Sequence, residues 1–180
     1  MTYYGGKNLA FSFRQVRNNT IQIAEEIPEA KYGYTAAPDC RSIVQLLAHI
    51  ALGPGIQMHI HRSKIADLKD VNFGELMQKA MAEEAKSRTK TETVALLKSE
   101  GENVASYLEG LSDDFLAEPV AMPPGMEPTA KTRFEMLMSM KEHEMHHRGQ
   151  LMLLQRMIGL VPHLTRRMQE RMAQRAAAGR

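Results

Sequence analysis

Four long stretches of this chain repeat apolar residues at helical spacing, and prolines and glycines punctuate them. No segment alternates apolar and polar residues between turn signals, so essentially no sheet is expected. The stretches run over residues 8–27, from Pro38 or Asp39 to Gly53, from Thr89 or Thr91 to Leu111, and from Thr129 or Thr132 to about Gly159. Pro28 closes the first, and Val161-Pro162 stops the last. Between Pro119 and Pro128 four prolines require an irregular loop. Gly101 is a weak point in the third stretch. Gly53-Pro54-Gly55 interrupts the second, because Pro54 has no N–H to return to Ile50, and a helix resumes through His59 and His61. Residues 73–87 read as a short helix in a connection. The expected fold is all-α: a four-helix bundle with extra short helices and a basic C-terminal tail helix. Its expected division is a bundle over 1–163 and a tail helix over 164–180.

A chain of 180 residues that is 43% hydrophobic suffices for one domain with a sizeable core. The net charge of +2 implies no nucleic-acid partner. From Arg148 to Arg180 the chain holds seven arginines against one acid, Glu170, which reads as a solvated basic helix end. The lone Cys40 rules out an internal disulfide and fits a reducing compartment. The N-terminal residues carry no secretory pattern, and no run of about 18 apolar residues is evident, so no membrane span and a cytoplasmic location are expected. Methionines are numerous, fourteen in all, and Met136, Met140 and Met157 read as flexible core filler.

Chemistry concentrates in Glu142–Gln150, EHEMHHRGQ, which holds three of the seven histidines. With His143 set at zero on a helical wheel, Met136 and Leu154 fall near 20°, Met140 near 60° and Leu151 near 80°, a core stripe centred at about 40°. His147 falls on that centre and His143 at its edge, whereas His146 stands off at about −60°. Two inward imidazoles one turn apart can hold one ion, and they are costly in an apolar face unless paired or coordinating. A facing helix must supply further ligands, and His49 is the candidate, sharing a face with Leu46. His59 and His61 read as a surface pair and His163 as an exposed loop histidine. Gln150 is the nearest polar neighbour, able to orient water or substrate. Glu142 and Glu144 are candidate partners for a ligand N–H.

His143-Glu144-Met145-His146-His147 also fits the H-E-x-x-H pattern of zincin proteases, with Glu144 as general base. That reading lacks a third ligand and a substrate-binding strand. One Glu-x-x-His is half of a di-iron signature, and no second is present.

The string His143-x-x-x-His147-Arg148-Gly149-Gln150-Leu151, preceded by a helix ending in Leu46-Leu47-Ala48-His49-Ile50, resembles the DinB-like superfamily of metal-binding four-helix bundles. The order of elements over about residues 8–163 is similar too. The resemblance implies one divalent ion, zinc or nickel, on His49, His143 and His147, and a homodimer. It also implies a thiol S-transferase using a low-molecular-weight thiol cosubstrate, or a hydrolase, with a small-molecule substrate. The alternative is a non-catalytic metal-binding or stress-associated interaction protein. The expected pocket is lined by Leu46, Met140 and Leu151. Gly53-Pro54-Gly55 departs from the family pattern.

Overall fold

A computed structural model describes residues 4–179. Helix α1 spans Gly6–Glu26, α2 Ile43–Leu52, α3 Gly55–Arg62, α4 Phe73–Glu84, α5 Lys90–Glu109 and α6 Asp113–Ala117. After them come β1 (Pro119–Ala121), β2 (Ala130–Thr132), α7 (Arg133–Met157) and α8 (His163–Ala178). The four-helix bundle expected from the periodicity is the architecture found. Helices α1, α2, α5 and α7 form it, with α1 and α2 each packed between α5 and α7. The consecutive helices α1 and α2 therefore stand across the bundle from each other.

Start signals legible in the sequence do their expected work. Thr89 and Thr132 close capping boxes with Glu92 and Glu135 at the heads of α5 and α7. Helix α2 starts four residues later than Asp39, because Ser42 is the residue that caps it, with Gln45 completing the box. Residues 39–41 consequently remain loop. The proline-rich stretch is not wholly irregular: β1 and β2 at its ends pair antiparallel, Pro119 opposite Thr132.

The core has two main layers and a third, smaller cluster of Ile60, Leu68, Val120 and Met136. Ile23, Ile27, Ile43, Leu47, Leu97 and Leu151 belong to one layer, and Phe13, Val104, Leu108, Leu137 and Met140 to the other. Between them on α1 sits Arg17, 3% exposed. Its Nε donates to both carboxylate oxygens of Glu144 on α7 at 3.0 Å, Nη1 to the Leu97 carbonyl on α5 at 2.9 Å, and Nη2 to the Ile50 carbonyl on α2 at 3.1 Å. Pro54 leaves the Ile50 carbonyl without its helical donor, and Arg17 takes that place. Gly101 is equally purposeful: a Cβ there would lie 2.7 Å from Arg17 Cγ. Burial pushes the Glu144 carboxyl up, and the Arg17 guanidinium opposes it.

Several expectations fail for reasons of packing. His61 is not a surface residue. It is 1% exposed, accepts from Arg133 Nη1 through Nδ1 at 3.2 Å and donates from Nε2 to Gln57 Oε1 at 3.2 Å. Its partner in that reading, His59, is exposed. His163 opens α8, is buried, and donates to Asn19 Oδ1 at 3.2 Å. Met136 and Met140 fill core space, but Met157 is exposed. The run Ile43–Arg62 reaches the length and mean hydropathy of a membrane span, but it is divided into α2 and α3, and half of it is buried inside the bundle, which accounts for its apolarity. Helix α8 touches α1 through His163–Asn19, Arg166–Glu26 and Arg167–Gln22, and is otherwise exposed beyond Thr165.

Arg17→Met should destabilise the fold by about 3–5 kcal/mol by leaving a buried carboxylate unpaired. The double change with Glu144→Leu should recover part of that loss, as read from urea unfolding midpoints. A second prediction concerns pH. Burial, aided by Arg133, lowers the His61 pKa from 6.5 to about 4. The unfolded chain then binds the proton more readily, so stability falls as pH drops from 6.5 toward 4. His61→Gln should flatten the dependence by on the order of 3 kcal/mol over that window, the rest belonging to other histidines with lowered pKa.

Candidate metal centre

His49 comes from the last turn of α2, and His143 and His147 from the middle of α7, level with the Arg17–Glu144 pair. Their Nε2 atoms form a near-equilateral triangle. His49 lies 3.0 Å from His143 and 3.1 Å from His147, and the two α7 histidines are 3.1 Å apart. The buried face of α7 runs through Arg133, Leu137, Met140, Glu144, Leu151 and Gln155. Its centre on the wheel is nearer 80° than 40°. His143 and His147 therefore stand at the edge of the stripe, half-buried, and open toward the surface rather than into the core.

Partners outside the triangle set the tautomers. The Glu84 carboxylate at the end of α4 accepts from His49 Nδ1 at 2.9 Å and also pairs with Arg41. Gln150 Oε1 accepts from His147 Nδ1 at 2.7 Å, while its Nε2 donates to His146 at 3.2 Å. With Nδ1 protonated in both rings, the Nε2 atoms of His49 and His147 carry lone pairs directed at the triangle. Only His143 can place a proton between them, so at least one of the three contacts sets lone pair against lone pair. Burial, then the two neighbouring histidines, lowers the His143 pKa to about 4; burial likewise lowers that of His147. A cation satisfies such a donor set. A triangle of this size has a circumradius of about 1.8 Å, so a point about 2.1 Å from all three nitrogens exists just off its plane.

Gly53 makes this geometry possible. A Cβ at that position would lie 2.7 Å from Cε1 and 3.2 Å from Nδ1 of His143. The Gly-Pro-Gly break thus gives the His143 ring its place on one side and frees the Ile50 carbonyl for Arg17 on the other.

The three histidines expected on inward faces are the three brought together, and His146 stays outside, exposed. Neither glutamate expected beside a ligand is there: Glu144 is committed to Arg17, and Glu142 is exposed on the surface. That pairing also removes Glu144 as a zincin-type base. Glu84 carries out the expected role instead. Its only signal is a carboxylate at the end of a connecting helix, and nothing in the periodicity of α4 says that this end folds against α2. The pocket differs as well. Met140 and Leu151 are buried in the core, while Leu46 lines a cavity of about 660 Å3 with His147, Gln150, Asp39, Cys40 and Arg41. A second cavity of about 410 Å3 borders His49 and His143.

A profile of the DinB superfamily matches residues 12–151, a span that contains all three histidines. This chain belongs to the DinB superfamily. Among its relatives is the uncharacterised protein YjoA of Bacillus subtilis (strain 168), 27% identical over 149 residues, which cover 82% of this chain and 86% of YjoA. The crystal structure of YjoA, a DinB-like protein, superposes with a TM-score of 0.60 at 23% identity, covering 84% of this chain and 92% of that one. YfiT from Bacillus subtilis is described as a probable metal-dependent hydrolase with an unusual four-helix bundle topology. It gives a TM-score of 0.66 at 14% identity, covering 89% of this chain and 91% of its own. At these identities the superpositions speak to the fold alone.

Gly53→Ala should lower affinity for zinc at least tenfold by displacing the His143 ring, with the helical content unchanged. His146→Ala should stay within twofold of wild type. Competition with a chromophoric chelator measures both.

Proposed function

We propose that this protein is a metal-dependent enzyme that acts on a small molecule, with one divalent ion held by His49, His143 and His147. The observation that carries this reading is the triangle of Nε2 atoms with two tautomers fixed from outside. Bound there, zinc or nickel would act as a Lewis acid and lower the pKa of a coordinated water or thiol. The chain's own residues do the remaining work. Glu84 and Gln150 orient the His49 and His147 rings, and Gln150, at the rim of the larger cavity, is placed to orient water or substrate. Cys40 lies in the same rim as an exposed free thiol and is not needed as a nucleophile.

Hydrolysis is supported by the description of YfiT. Thiol transfer, with a low-molecular-weight thiol as cosubstrate, is supported by the two separate cavities that reach the histidines, one for each reactant. The protein works as a cytoplasmic homodimer in this reading, and light scattering should give twice the chain mass of 20.3 kDa.

Protein purified without chelators or an affinity tag should carry about one equivalent of a divalent ion by elemental analysis. Replacing His49, His143 or His147 by Ala should remove most of it. The metal-loaded protein should conjugate at least one biological thiol to a generic electrophile, or hydrolyse a small ester or amide. Equal rates for wild type and His147→Ala across both panels would leave the non-catalytic metal-binding reading in place.

A further inference from the structure

Arg41 and Glu84 line both cavities beside the histidines and stand between them. The two spaces differ in chemistry. The larger one presents Asp39, Cys40, Arg41 and Gln150 alongside Leu46 and Leu153. The smaller one, about 410 Å3, has Leu52 and Ile56 in its wall and a roof made by Leu76, Met77, Ala80 and Met81 of α4.

Helix α4 is unusual among the longer helices in burying no residue. Its apolar face is not spent on the core: Met77 is 51% and Met81 62% exposed. It packs against α2 and α3, and Glu84 fastens its last turn to His49 and Arg41. Each charged side chain at the chamber wall already has a partner. Lys79 pairs with Glu75, Glu83 with Lys86 and Arg88, and Glu84 with Arg41 and His49. Away from the His49 and His143 rings at its inner end, the chamber therefore offers an entering group no unpaired charge and mainly aliphatic and thioether surface that adapts to its shape. Its volume lies within the range of small-molecule sites.

We propose that this chamber is the subsite for an uncharged, apolar portion of the substrate, with α4 as its roof and Glu84 as the residue that fixes the roof against the histidine triangle. The proposal rests on the reading of that triangle as a metal site. The polar or ionic reactant is left to the other cavity.

The experiment uses the full zinc-loaded chain and the neutral dye N-phenyl-1-naphthylamine, whose fluorescence rises in apolar surroundings. Wild type should bind it saturably at one site. Met77→Glu, at an exposed position that tolerates a charge, and Ala80→Trp, which fills the space, should each weaken binding at least tenfold while circular dichroism stays unchanged. Leu153→Gln in the other cavity and Met168→Gln on α8 should remain within twofold of wild type. Exchanging zinc for cobalt should quench the bound dye, because the chamber borders the histidines. Unchanged affinity in both α4 variants, or a loss in Leu153→Gln or Met168→Gln instead, would overturn the proposal. Zinc content measured on the same samples separates the two readings. A chain that binds the dye with this variant pattern but holds no zinc refutes the metal site and keeps the chamber. A chain that holds zinc while its dye affinity ignores the α4 variants refutes the chamber alone.

Discussion

The guanidinium of Arg17 is the point on which the four bundle helices agree. From α1 it reaches a carboxylate on α7 and backbone carbonyls on α2 and α5, all within 3.1 Å. A charge this deeply buried is tolerable only when its donors are matched, and the match here consumes groups from three other helices. The hydrophobic layers above and below supply most of the driving force for folding, but apolar contact is non-directional and leaves helices free to slide. The arginine supplies direction. Its partners Ile50 and Glu144 are the immediate chain neighbours of His49 and His143, so the interaction that fixes the spacing of α2 and α7 also fixes the spacing of the histidine nitrogens.

That arrangement explains why the histidines lie at the boundary of the buried stripe. Glu144 occupies the inner face of α7 at the level where His143 and His147 look outward. Structural charge and histidine pair share one turn of helix, back to back. Beyond them the outer ring of partners comes from elements with little role in the core: Glu84 from α4, and Gln150 from the exposed side of α7.

Much of this was readable in the residues. The 3.6-residue period identified the bundle helices, Thr89 and Thr132 marked two of their starts, and the i, i+4 pair His143–His147 with His49 on a facing helix identified the triangle. What escaped depended on long-range pairing, which periodicity does not encode. His61 looks like a surface histidine until Arg133, 72 positions away, is folded against it. Glu144 looks like a zincin base until Arg17, 127 positions earlier, claims it. Glu84 is one acid among several near the end of a connecting helix, and only the packing of α4 on α2 gives it the His49 ring to orient. The wheel itself misplaced the stripe because it was drawn on apolar residues alone, whereas Glu144 and Gln155 are buried with them.

Gly53 and Pro54 are among the poorest helix formers, costing about 1 and 3 kcal/mol relative to alanine in a helix interior. A stability engineer optimising α2 and α3 as one continuous helix would replace both. The gain in local helicity would come with a methyl group where the His143 ring sits and a backbone donor returned to the carbonyl that Arg17 uses. Helical propensity and the geometry of the histidine triangle are thus opposed at these two positions in a way that a search scoring propensity alone would not detect. Libraries for stabilising this scaffold should hold them fixed and seek their gains on the exposed turns of α5 and α8 instead.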